Sequence, residues 1–405
     1  MISVQRAQQL IEAHCPPPQE ENIFVSAARG RVNAHDLKSP LHLPLFDNSA
    51  MDGFALKSRD TMDATFENPV LLNVKGMIKA GDAGQQIVLR DQEACRIMTG
   101  APIPRSADAV IAKERAVLKD GSLAVSSPVL KGTNIRHRGE ELKKGQKVIP
   151  KGTLISPGTI GFLATLGIER ISVYRAPKIS LITTGSELVA AGRPLAAGKI
   201  YDSNTPMIRA ALEEMGIRPV FIRKLVDEPR IIKKILAFAL KESDLIILMG
   251  GVSVGDCDYV KDALRRAGVS PIFWKVSQKP GKPLYFGKKN KTLVFGLPGN
   301  PAAVFTCFYE YVYPAIRIGM GHKGPYLRSG VMKLCKPVQA DPEKTLFLKG
   351  KTDENNGVVP LKRQQSHMIS SFCEADSLVV IPPSSYGIRA GEEALVHSLP
   401  HFMDG

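Results

Sequence analysis

Asp244-Leu-Ile-Ile-Leu-Met249-Gly250-Gly251-Val-Ser253-Val-Gly255-Asp-Cys-Asp258-Tyr259 is the stretch on which the fold turns. Residues 245–249 form an apolar run too short for a helix of its own. They lack the polar alternation of a half-exposed strand, so they predict a strand covered on both faces. Three glycines follow, and the pattern from 259 to 267 predicts a helix. Glycines let backbone N–H groups approach a ligand closely, and the helix start behind them favours an anion. The spacing misses both the dinucleotide fingerprint and the P-loop, and a loop of this kind can serve as a turn alone.

The same texture repeats on both sides of this stretch. Residues 178–183 and 219–225 read as strands, with a helix at 207–215 that places Ile208, Leu212 and Met215 on one face. Ile231, Ile235 and Phe238 mark another helix, and a strand at 291–295 precedes a helix starting at Pro301. Strands separated by helices predict parallel pairing through right-handed crossovers. In such a sheet, ligands collect at the carboxyl ends of the strands.

The 405 residues exceed one ordinary domain of roughly 150 residues. A helix is predicted at 4–13, a break at Pro16-Pro17-Pro18 and a second short helix from about 19 to 31, ending before Pro40 and Pro44. From 45 to 139 the apolar runs are short and punctuated by Gly, Pro and Asp, which predicts a small β-rich module. A further interrupted stretch, with a helix at 158–166, is expected to pack with the N-terminal segment. The predicted organisation is multidomain α/β plus β: residues 1–44 with 140–175 as a split N-terminal domain, 45–139 as a β-rich insertion, 176–325 as a three-layer α/β domain, and 326–405 as a C-terminal β domain.

The chain carries 54 Lys and Arg against 39 Asp and Glu, a formal charge of +15, which attracts phosphates and oxyanions as well as nucleic acid. A nucleic-acid surface interleaves clustered basic residues with aromatics, whereas here the cations are scattered and aromatics are only 6%. No nucleic-acid partner is expected. The six cysteines lie far apart and read as reduced thiols. No signal peptide or bilayer-length apolar run is found, so no membrane association is expected and the assignment is cytoplasmic.

Two further loops carry candidate chemistry. Lys275-Val-Ser-Gln-Lys279-Pro-Gly-Lys282-Pro283 is a turn stiffened by two prolines that presents three lysines, a rigid holder for an oxyanion. Phe295-Gly-Leu-Pro298-Gly-Asn-Pro301 follows as another strand-to-helix loop. On the acidic side, Asp52, Glu187, Asp202, Asp227 and Asp258 fall in loops, four of them in the α/β region, and hard oxygen ligands suit Mg²⁺. Each alone also reads as a helix cap or turn residue.

Together, Asn48-Ser-Ala-Met-Asp-Gly-Phe-Ala55, Arg96-Ile-Met-Thr-Gly-Ala-Pro-Ile-Pro104, Thr184-Gly-Ser-Glu-Leu188, Gly250-Gly-Val-Ser-Val-Gly255, Lys279-Pro-Gly-Lys-Pro283 and Leu297-Pro-Gly-Asn-Pro301 resemble the molybdopterin molybdenumtransferase family, the MoeA-like group that includes the gephyrin E domain. The resemblance runs from about residue 7 to the C-terminus. It implies a central domain of the molybdopterin-binding type and a homodimer that binds adenylylated molybdopterin between the α/β domain of one subunit and the small β domain of the other. Molybdate would replace the adenylate in a Mg²⁺-dependent step that releases AMP, the substrate being handed over by a molybdopterin adenylyltransferase. Carried over by position, Asp52, Glu187, Asp227 and Asp258 match functional carboxylates, with Glu187, Asp258 and Asp227 as metal ligands. Lys275, Lys279 and Lys282 match anion-binding lysines, Gly250, Gly251, Ser253 and Gly255 line the phosphate loop, and Pro298 and Pro301 stiffen the wall.

Three positions depart from the family pattern. Arg136-His-Arg-Gly-Glu140-Glu141 puts the longer Glu141 where an Asp metal ligand is common. Lys349 stands for an expected Arg, keeping the charge without the bidentate fork. Ser366-His367 replaces a Ser-Gly step. The competing readings are adenylyl transfer to molybdopterin, because residues 176–325 also resemble the stand-alone adenylyltransferase, and a non-catalytic scaffold of the gephyrin type.

Overall fold

The computed structural model describes residues 1–82, 87–225, 228–251 and 259–400. The chain forms two compact units, one of residues 1–34, 152–157 and 170–405, the other of residues 35–151 and 158–169.

The larger unit is built on a six-stranded sheet. Its strands are β1 (Ile179–Thr184), β2 (Phe221–Leu225), β3 (Leu245–Met249), β4 (Ser270–Trp274), β5 (Tyr285–Lys289) and β6 (Thr292–Leu297), in the spatial order β2-β1-β3-β6-β5-β4. β2, β1, β3 and β6 are mutually parallel, as the alternation of strands and helices predicts. β5, which the sequence pattern does not mark as a strand, runs antiparallel to both neighbours. The cause is a tight turn between β5 and β6 with Asn290 in the left-handed region, which makes the pair a hairpin rather than a crossover unit.

Alternation along the apolar strands covers both faces of this sheet. Leu245, Ile247 and Met249 pack in one cluster with Ile208 and Leu212 of the helix Asn204–Glu214 and with Ala302 and Val304 of the helix Pro301–Cys307. Ile246 and Leu248 pack in another with Leu236 of the helix Pro229–Glu242 and Leu264 of the helix Tyr259–Arg266. A strand buried on both sides needs the unbroken apolar run that residues 245–249 carry.

The expected helix at 19–31 is instead the strand Glu20–Phe24, paired antiparallel with Arg170–Tyr174, followed by a 3₁₀ turn at Val25–Ala27. Local preference gives way to pairing here: Arg31 ties this edge down through Glu21 and the Tyr174 carbonyl. The helix Val4–His14 forms as expected, its amide at Arg6 capped by the Ser3 hydroxyl.

A second six-stranded sheet, built mainly from Arg328–Leu334, Thr345–Thr352, Gly357–Pro360, Ser377–Ile381 and Glu393–Ser398, also takes in the short strand Gln278–Lys279, which pairs in parallel with Thr345 and Leu346. The lysine turn is thereby fastened to the C-terminal sheet.

In the smaller unit, six strands (order Ala109–Ala112, Gly53–Leu56, Glu93–Ile97, Val70–Ile78, Ser122–Val125, Val117–Lys119) form the expected β-rich body. Gly53 is required because a Cβ there would lie 1.9 Å from the Ile111 carbonyl oxygen.

Candidate active site

The carboxyl ends of β1, β3 and β6 open into one cavity of about 1080 Å³, large enough for a nucleotide-bearing substrate. β1 delivers Thr184, Gly185 and Glu187, β3 delivers Gly250 and Gly251, and β6 delivers Pro298, Asn300 and Pro301. The lysine turn contributes Gln278, Lys279 and Lys282. Loops of the C-terminal β domain line the cavity with Asp341 and Lys344 and with Gln364, Gln365, Ser366 and His367.

Local geometry explains the glycines. Gly185, at φ +140°, makes room for the Glu187 carboxylate, whose oxygens lie 2.6 and 2.7 Å from where a Cβ would stand. Gly250 and Gly251 are both left-handed, and a Cβ on either would come within 2.9 Å of the Thr184 side chain. The Gly250 N–H donates to the Leu297 carbonyl at 3.1 Å, which ties the glycine loop to the β6 loop. That loop is held in turn by Asn204, whose amide donates to the Gly299 carbonyl at 2.8 Å. Asn300 donates to the Ser366 hydroxyl at 2.8 Å, and the Ala302 N–H donates to the Ser366 carbonyl at 3.1 Å.

The walls carry both signs of charge. Lys279 and Lys282 are exposed and form no salt bridge with a described residue. Lys344 is 3.2 Å from Asp341, whose carboxyl is held below its ordinary range by the Glu343 N–H and by Lys344. Glu187 supplies an exposed carboxylate to the same lining.

Of the residues selected from sequence, Glu187, Gly250, Gly251, Lys279, Lys282, Pro298, Pro301 and Ser366 line this one cavity. Ser253, Gly255, Asp227 and Asp258 lie outside the described residues. Lys275 does not line the cavity; its ammonium sits 3.9 Å above the Trp274 ring, on a left-handed backbone at φ +72°. Lys349 does not reach the cavity either. It is 2% exposed and its ammonium donates to the Met368 carbonyl at 2.9 Å, while its N–H and C=O bond the Gln364 side chain, so it holds the 364–368 loop from behind. Burial pulls its pKa down to about 8. Asp202, one residue ahead of the N-cap Ser203, holds the first turn of the helix Asn204–Glu214: it accepts from the Thr205 N–H and hydroxyl at 3.1 and 2.6 Å.

Asp52 and Glu141 belong to the smaller unit. Asp52 accepts from the Thr99 N–H and hydroxyl at 2.9 and 2.7 Å, bonds that, with Lys113, hold its carboxyl below the ordinary value. Glu141 is exposed, its N–H bonded to the Leu43 carbonyl. Among the described residues, no three His, Cys, Asp or Glu side chains gather into a metal site. Asp341, Lys344, Gln364 and Gln365 escaped the sequence reading, because irregular loops of a β domain carry no periodicity that would single them out.

Strand-end loops, glycine amides and stiffly mounted lysines around a cavity of this size define an α/β protein that handles a large phosphate-bearing or oxyanionic ligand. The comparisons with known proteins narrow that class. Residues 2–167 match the MoeA N-terminal region (domains I and II), 180–318 a probable molybdopterin binding domain, and 332–399 the MoeA C-terminal region (domain IV). The chain is 33% identical to the molybdopterin molybdenumtransferase of Haemophilus influenzae, with all of both chains covered. It is 34% identical to molybdopterin molybdenumtransferase 2 of Mycobacterium tuberculosis, covering 98% of this chain and all of that one. The crystal structure of a molybdopterin biosynthesis MoeA protein from a Pyrococcus species superposes with a TM-score of 0.84 at 29% identity, covering 98% and 99% of the two chains. The chain belongs to the molybdopterin molybdenumtransferase family and is a transferase.

Proposed function

We propose that this protein inserts molybdate into adenylylated molybdopterin, breaking the pyrophosphate link so that AMP leaves and molybdenum cofactor forms. The observation that carries the reading is the convergence of Glu187, Lys279, Lys282 and the Gly250-Gly251 backbone on one cavity of about 1080 Å³. Ammonium groups on a stiff turn hold a tetrahedral oxyanion with little ordering cost, and the Gly251 N–H, with the Gly250 N–H already given to the Leu297 carbonyl, faces the negative charge that gathers on the departing phosphate. Pro298 and Pro301 keep the β6 loop fixed beside the ligand, and Ser366, oriented by Asn300, donates to it. No covalent nucleophile is invoked.

Mg²⁺ belongs to the same proposal. The Glu187 carboxylate, set into the hollow above Gly185, is a hard oxygen donor of the kind that ion takes together with substrate phosphates. Glu187, with Asp227 and Asp258, would hold it, and it would neutralise charge on the pyrophosphate. The family resemblance supports a homodimer, in which Asp52 would reach across the interface to the neighbouring subunit's site, with Glu141 at the position of a metal-binding Asp, and hand-over of substrate from an adenylyltransferase. It also supports a cytoplasmic setting; among the described residues, no helix is long and apolar enough to cross a membrane.

The test is incubation with adenylylated molybdopterin, Mg²⁺ and molybdate, following AMP and active cofactor together. Transfer of AMP from ATP to molybdopterin by this chain alone would instead favour the adenylyltransferase reading.

A further inference from the structure

The lysine turn is anchored from below by a side chain that carries no charge. Gln278 is fully buried, and its amide nitrogen donates to the carbonyls of Pro280 and Gly281 at 3.1 and 3.3 Å, the two residues between Lys279 and Lys282. The same nitrogen lies 3.5 Å from the Cys307 sulfur. Its oxygen accepts the hydroxyl of Tyr311, which is itself fully buried.

These bonds fix the amide in one orientation. A flipped Gln278 would set its oxygen against two carbonyl oxygens and face the Tyr311 hydroxyl with another donor. Burial raises the Tyr311 phenol well above its ordinary value, so it remains a donor at any working pH. Tyr311 reaches Gln278 from a π-helical turn, Phe308–Val312, set between the helices Pro301–Cys307 and Tyr313–Gly319. Such single π turns recur at functional sites because the extra residue re-aims side chains. Space under the turn is filled: a Cβ on Gly281, at φ +90°, would stand 2.4 Å from the Cys307 sulfur and 2.7 Å from the Gln278 nitrogen.

We propose that Gln278, oriented by Tyr311, is the positioning residue that sets the direction and separation of the Lys279 and Lys282 ammonium groups and thereby the affinity of the site for a tetrahedral oxyanion. The proposal rests on the reading of that turn as the molybdate holder. Gln278 acts through the turn: losing it leaves both lysines present but no longer fixed relative to each other.

The experiment measures half-saturating molybdate and half-saturating adenylylated molybdopterin for the full chain and for Gln278→Met, Tyr311→Phe, the double variant and Lys279→Met. Gln278→Met is expected to raise half-saturating molybdate roughly tenfold, equivalent to about 1.4 kcal/mol, with the pterin value changed less than about twofold. Tyr311→Phe keeps the ring packing and should move molybdate in the same direction, and the double variant should be no worse than Gln278→Met, since both changes break one linkage. If Lys279→Met weakens molybdate binding while Gln278→Met and Tyr311→Phe leave it unchanged, the turn holds the oxyanion but Gln278 does not position it, and the proposal fails. If Lys279→Met itself has no effect, the underlying reading of the turn fails and takes the proposal with it. Should Gln278→Met not fold, Tyr311→Phe alone decides, by the same molybdate-to-pterin comparison.

Discussion

Replacing Lys349 with methionine should stabilise the protein at neutral pH relative to its stability at high pH, and weaken the site at both. Lys349 is 2% exposed, and burial pulls its pKa from 10.5 to about 8. At about 1.4 kcal/mol for each tenfold change in proton affinity, keeping that ammonium charged in the fold costs about 3 kcal/mol. Because the folded pKa is depressed and the group is a base, the unfolded chain holds the proton between pH 8 and 10.5 while the folded chain has released it. Wild-type stability therefore rises with pH across that window, by up to about 3 kcal/mol from this group. Methionine fills a similar volume and has no proton to lose, so the variant lacks this rise. Its loss of the charge-assisted bond to the Met368 carbonyl, about 1.5–3 kcal/mol, offsets much of the cost removed, so the prediction rests on how the difference between the two proteins changes with pH. The assay is denaturant unfolding of both proteins at pH 7, 9 and 10.5, read as the difference between them so that other titrating groups cancel. The variant's advantage should be greatest at pH 7 and shrink through the window, while half-saturating molybdate rises because the 364–368 loop has lost its tether. A difference constant to within about 0.5 kcal/mol at all three pH values would refute a buried ammonium at this position.

Four further outcomes are expected. Lys279→Met should raise half-saturating molybdate at least about tenfold while shifting stability by no more than about 0.5 kcal/mol, since the side chain is exposed; equal loss of molybdate and pterin binding in titrations would contradict its assigned task. Gly281→Ala should destabilise by more than about 1 kcal/mol, because the added Cβ meets Cys307 in a left-handed backbone, and thermal melts would register it. Glu187→Gln should abolish Mg²⁺-dependent AMP release with an unchanged melt, and retained activity would remove Glu187 from the metal site. His397 is partly buried, which opposes its charged form, but its 2.8 Å bond to Glu310 and that carboxylate's charge prevail and raise its pKa. This pair should stabilise the fold fully below the ordinary histidine range and progressively less as pH rises through the raised value, and Glu310→Gln should erase that slope in unfolding measurements.

The central sheet was legible because burial on both faces demands unbroken apolar runs, and residues 245–249 carry one. The antiparallel β5 was not, since Tyr285-Phe-Gly-Lys-Lys289 has neither the length nor the alternation of a clear strand and its hairpin turn lacks a glycine. Glu20–Phe24 reads locally as helix, and only its pairing with Arg170–Tyr174, some 150 residues away, makes it a strand. In the site, the loops at strand ends were readable through glycine, proline and lysine chemistry, and eight of the selected residues meet in one cavity. Charge was readable but direction was not: Lys275 and Lys349 are the expected residue types, yet one stacks on Trp274 and the other points at a backbone carbonyl. Gln278 was passed over because nothing local distinguishes a glutamine whose partner, Tyr311, lies 33 positions along the chain.

The measurement that bears most directly on the account is a single-turnover reaction of the purified chain with adenylylated molybdopterin, with molybdate and Mg²⁺ each supplied or withheld. The account predicts AMP release matched one-for-one by cofactor able to activate a molybdenum apoenzyme, only when both are present, and lost in Glu187→Gln and Lys279→Met. AMP released without any dependence on molybdate, or cofactor formed equally well by those two variants, would mean that the cavity beside Glu187 and the lysine turn is not where the metal is inserted.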